Sequence, residues 1–81
     1  MKYTVGQIAR FIRIQKGIKQ SFVSDKLGFK SPSSYSEIEK GVRHLSADKI
    51  PILADALDVS IEELFFEDKI RKMRNDNDVI A

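Results

Sequence analysis

FVSDKLGFKSPSSYSEIEKG, residues 22–41, decides how the rest of the chain is read. Phe22, Val23 and Leu27 give the inner side of a short helix from about Gln20 to Lys26, and Gly28 stops it. The entry to that helix is poor. Lys19 stands where serine, threonine or aspartate would supply a side-chain acceptor. The following helix is better punctuated. Ser31 is a natural N-cap, and Pro32 falls at the first helical position, where a missing N–H costs nothing. Tyr35 and Ile38 point inward, and Gly41 closes the helix. Its outer positions are mostly serine, it carries two glutamates, Glu37 and Glu39, and its only cation is Lys40.

On the N-terminal side, Val5, Ile8, Ala9 and Ile12 recur at helical spacing and predict a first helix ended by Gly17. On the C-terminal side, Ser46 is a plausible cap for a fourth helix with Ile50, Leu53, Ala54 and Leu57 as its buried stripe. Pro51 would then lie near the end of the first turn and remove a hydrogen bond, which a start at Asp48 would avoid. Ser60-Ile-Glu-Glu63 has the S-x-x-E pattern of a capping box and opens a fifth helix. Ile61, Leu64 and Phe65 are expected to lock that helix to the domain, and it could continue to about Arg74. No stretch alternates with period two. The chain therefore predicts an all-α, compact five-helix domain over residues 1–74, with 75–81 as a loose tail.

Eighty-one residues suffice for one small domain held by its core, since there is no cysteine for a disulfide or thiolate metal site. No apolar run resembles a signal peptide or approaches the length of a membrane span, so a cytoplasmic, nucleoid-associated protein is expected, with no membrane partner. The net charge of +2 is unevenly placed. Residues 1–45 hold nine Lys/Arg against three Asp/Glu, while residues 46–81 hold five against nine. A basic first half suggests a polyanionic partner, nucleic acid first. There is no glycine-rich phosphate loop, metal-ligand spacing or G-x-S-x-G elbow, so neither an enzyme nor a cofactor or metal is expected.

Two short helices separated by GFK have the layout of a helix-turn-helix. Together, VGQIARFIRIQKGIKQ, FVSDKLGFKSPSSYSEIEKG and LADALDVSIEELF resemble the Cro/cI-type (XRE-like, lambda-repressor-like) DNA-binding family over Val5 to about Phe66. The ordered set of G-I-x-Q, L-G, I-E-x-G, A-x-x-L-x-V-S and E-L is specific, although each piece alone is weak. Asp58 departs from the family pattern, which commonly has glycine there.

The resemblance implies a residue-level assignment. Pro32, Ser33 and Glu37 are the candidate base readers, with apolar contact, a permissive hydroxyl and a carboxylate able to accept from a cytosine amino group. Gln20 matches a glutamine that anchors the DNA backbone. Lys19, Lys30, Lys40, Arg43 and His44 bracket the motif as further candidate backbone contacts, and Ser34 and Ser36 could hydrogen-bond phosphate oxygens. Arg13 and Glu39 match a structural ion pair between the first and third helices.

Phe11 and Ile14 lie off the main stripe of the first helix, and Phe66, Ile70 and Met73 form a second apolar line. Either the C-terminal helix folds back over Phe11 and Ile14, or these residues form a dimer seam. The second fits the family habit of binding as homodimers on two-fold sites. The expected function is a sequence-specific, double-stranded-DNA-binding transcriptional regulator, most often a repressor in this family, with a regulatory protein as a possible further partner. The competing expectation is a protein-interaction module on the same fold, of antitoxin or anti-regulator type, with weak or no DNA binding.

Overall fold

The computed structural model describes residues 3–65. Within them lie four α-helices: α1 (Val5–Lys16), α2 (Gln20–Lys26), α3 (Pro32–Glu39) and α4 (Ile50–Leu57). Two 3-10 turns, Ala47–Lys49 and Ile61–Leu64, precede and follow α4. There is no strand among the described residues. The expected continuation to Arg74, with Phe66, Ile70 and Met73, and the expected tail 75–81 lie outside them.

The helix ends follow local chemistry. A capping box begins α1: Gln7 N–H donates to Thr4 Oγ1 at 3.2 Å, and Thr4 N–H donates to Gln7 Oε1 at 2.9 Å. Gly17, at φ 70°, ends it, and Ile18 N–H donates back to the Arg13 carbonyl. Lys19 leads α2 without a side-chain cap, as its residue type dictates. Ser31 Oγ accepts the Ser33 N–H at 3.3 Å, and Pro32 sits in the first turn of α3.

Ile8, Ile12, Val23, Leu27, Tyr35, Ile38, Leu53, Leu57 and Leu64 form a single core, to which all four α-helices and the last turn contribute. α1 and α2 both pack on α3, and α4 closes the other side of α1 and α2. The approach of α1 to α3 is set by Gly6. A Cβ there would collide with the Ile38 carbonyl oxygen and stand 2.7 Å from Ile38 Cγ2. Only glycine allows the two backbones this close.

Several expectations are corrected. The fifth helix is a 3-10 turn within the described residues, with Glu63 N–H on the Ser60 carbonyl and Phe65 N–H on that of Glu62. One tight turn suffices to bring Leu64 into the core. Ile61 and Phe65 do not lock it; they are 44% and 45% exposed. Phe22 is not inward either, because Val23, Ser24 and Leu27 occupy the inner side of α2. Its exposed ring instead lies 5.5 Å from Lys26 Nζ. Ser46 makes no side-chain cap, and regular α-helix begins only at Ile50. Pro51 therefore falls in the first turn of α4, where its missing N–H breaks no intrahelical bond.

Candidate nucleic-acid interface

Helix α3 divides cleanly by face. Tyr35, Ile38 and Glu39 are buried, Ser34 and Ser36 half-buried, and Pro32, Ser33, Glu37 and Lys40 exposed. The inner face is held by charge as well as packing. Arg13 Nε donates to Glu39 Oε2 at 2.7 Å and Arg13 Nη2 to Glu39 Oε1 at 3.1 Å, a bidentate pair. Arg13 Nη1 also donates to the Ile18 carbonyl at 2.8 Å. Gln20 Nε2 gives Glu39 Oε1 a further hydrogen bond at 3.0 Å. One carboxylate thus joins side chains from α1, α2 and α3. Such a carboxylate tolerates burial because its lone pairs are satisfied by a cation and an amide.

Tyr35 completes this interior. Its ring is fully buried, and its hydroxyl has no hydrogen bond of good geometry among the described residues, although Glu39 is a neighbour. Burial, reinforced by the Glu39 carboxylate and only partly offset by Arg13, pushes the Tyr35 phenol well above its ordinary pKa. The group stays neutral throughout the physiological range.

The outer face is small and polar. Ser33 Oγ lies 2.7 Å from Ser31 Oγ, so the hydroxyl that caps α3 also steers the first exposed hydroxyl of the helix. Glu37 stands one turn further along, exposed. Lys19, Lys30, Lys40, Arg43 and His44 are all exposed, while Gln20 is turned onto Glu39. Arg43 and His44 share a surface groove with Tyr3, Thr4, Val5, Gly6 and Leu45 at the start of α1.

Residue patterns alone missed the environment of Phe29, in the turn between α2 and α3. The Arg43 guanidinium carbon lies 5.8 Å from the centre of its ring, and Lys49 Nζ lies 5.4 Å from it. Lys49 Nζ also donates to the Leu27 carbonyl at 2.9 Å. No periodicity marks these three residues, since their meeting depends on how α4 docks beside α2. Among the described residues no helix is long and apolar enough to cross a membrane.

Of the candidate seam residues, Phe11 is half-buried against the core and Ile14 is 51% exposed. The turn Ile61–Leu64, with exposed Ile61 and neighbouring Phe65, packs against α1.

Comparison with known proteins agrees with this architecture. Residues 10–64 match a family model described as helix-turn-helix. Among solved structures, the chain is similar to the restriction-modification controller protein C.AhdI from Aeromonas hydrophila, with 35% identity and a TM-score of 0.65. That likeness covers 74% of this chain and 89% of the controller. No curated protein matches the chain. A capped helix with a polar outer face, carried on a helix-turn-helix that the family model spans, leads to one conclusion: the chain belongs to the XRE-like helix-turn-helix family of DNA-binding transcriptional regulators.

Proposed function

We propose that the chain acts as a homodimeric repressor that reads a palindromic operator with the exposed face of α3. The observation that carries this reading is the division of α3. Its inner face is locked by the Arg13–Glu39–Gln20 network, which leaves Pro32, Ser33 and Glu37 displayed on a fixed support. In the major groove Pro32 offers apolar contact to a thymine methyl, Ser33 a hydroxyl that donates or accepts, and Glu37 an acceptor for the cytosine amino group. Lys19, Lys30, Lys40, Arg43 and His44, with Ser34 and Ser36, would meet the phosphates on either side. Gln20 serves from beneath as well as from beside the groove: one amide N–H is on Glu39, and its remaining groups can reach the backbone.

Two-fold pairing would set reading helices about 34 Å apart, one turn of B-DNA. Ile14 on α1, with Ile61 and Phe65 on the turn packed against α1, supports an apolar seam there. Phe11, Phe66, Ile70 and Met73 are the further candidates for it. The structural neighbour is a restriction-modification controller, so control of such a system is the first context to examine.

The test is selection from a random duplex library, with sizing of the complex. The expected product is an inverted repeat bound by two chains, with a C·G pair preferred opposite Glu37. Replacing Glu37 with Gln should then relax or redirect preference at that one base pair by roughly 1–3 kcal/mol. Unchanged preference would remove Glu37 from the reading set. No binding to any duplex, even at low salt, would favour the protein-interaction reading instead.

A further inference from the structure

We propose that Phe29 is a positioning residue that holds Arg43 ready for a DNA phosphate, an inference that rests on the DNA-binding reading above. Arg43 is exposed, on the loop after α3, and a long side chain there would ordinarily sample many rotamers. No carboxylate lies within ion-pair distance of it among the described residues, where Arg13–Glu39 is the one salt bridge. What it has is the Phe29 ring, 5.8 Å from the guanidinium carbon.

That ring is itself fixed. Phe29 N–H donates to the Ser24 carbonyl at 3.1 Å, and the side chain is half-buried against the core. A second cation, Lys49, lies 5.4 Å from the ring centre while its Nζ is held by the Leu27 carbonyl. Arg43 and Lys49 thus both lie against the Phe29 ring, and among the described residues no carboxylate is within ion-pair distance of either. Two cations gathered at one ring favour an anion beside them. A guanidinium held beside an aromatic ring rather than by a carboxylate keeps its N–H groups free for bidentate contact with phosphate oxygens. The turn that carries Phe29 also carries Lys30, exposed at the next position, so the phosphate contact falls on the candidate backbone path beside α3.

A double-mutant cycle on one fixed random-sequence DNA duplex at low salt tests this, using the full chain. Phe29→Leu should weaken binding by about two- to five-fold, the roughly 0.5–1 kcal/mol of an exposed cation–π contact. In an Arg43→Ala background the same change should have no further effect. Phe29→Tyr, which keeps the aromatic face, should retain the parent affinity. The inference is overturned if Phe29→Leu costs the same with or without Arg43, if it costs nothing, or if Phe29→Tyr loses as much as Phe29→Leu. Those results would leave DNA binding intact. A parent chain that fails to bind the duplex at all would overturn the proposed function, and this inference with it.

Discussion

At the scale of single residues, Glu39 and Tyr35 make the strongest demands. Glu39 is buried and gives its oxygens to Arg13 and Gln20, so losing its charge strands a guanidinium that is itself only 14% exposed. Glu39→Gln should therefore cost about 3 kcal/mol of stability, the order expected when one member of a buried pair is removed. Urea unfolding would measure it, and a loss near zero would show that Arg13 finds solvent instead. Tyr35 predicts an alkaline limit. An unfolded tyrosine ionises near pH 10, whereas burial and Glu39 hold the folded Tyr35 proton more tightly. Its contribution to stability is thus fully present below about pH 10 and is lost as the pH rises above that value. In a Tyr3→Phe background, phenolate absorbance should appear only together with loss of helical circular dichroism. Reversible ionisation of an intact fold would contradict this.

At the scale of elements, the ends of the helices carry the energetic detail. Asp58 closes α4 at φ 58° and ψ 48°, a left-handed conformation that favours glycine, and its carboxylate stands at the negative end of the helix. Its backbone carbonyl, not its side chain, receives Lys16 Nζ at 2.9 Å. Asp58→Gly should raise stability by about 1 kcal/mol in thermal or urea melts, and a decrease would mean that the carboxylate has a stabilising role. The positions of α1, α2 and α3 were legible in the sequence because each has an apolar stripe and a stop, Gly17, Gly28 and Gly41 following them with positive φ, whereas α4 was legible from its stripe alone. The T-x-x-Q box at Thr4 went unread, although its residue types carry the signal. The fifth helix was overread because Ile61, Leu64 and Phe65 satisfy the helical spacing, yet only Leu64 is buried. Gly6 could not be read at all. Inside a helix it looks like a weak point, and its necessity lies in the Ile38 backbone across the core. The polar face of α3 was legible from its residue types, whereas the Phe29–Arg43–Lys49 cluster depends on docking between distant segments.

At the scale of the whole molecule, two kinds of electrostatics coexist. One is exposed, in Lys19, Lys30, Lys40 and Arg43; the other is enclosed, in Arg13 and Glu39. If each of the four exposed cations neutralises one phosphate, log Kobs falls against log salt with a slope of about −3.6 per protomer, at ~0.9 for each. The enclosed pair is screened far less, because ions do not enter the space between its partners. Titrating DNA at rising salt while following the melting temperature of the free chain should show affinity collapsing with the melt nearly unchanged. A melting temperature that fell in step with affinity would place the stabilising charges at the surface. The shared carboxylate of Glu39 thereby gives the molecule a clean means of departure. If α3 reads DNA as proposed, ionic conditions would strip the chain from its site while the geometry of that helix survives, leaving the released chain ready to rebind without refolding.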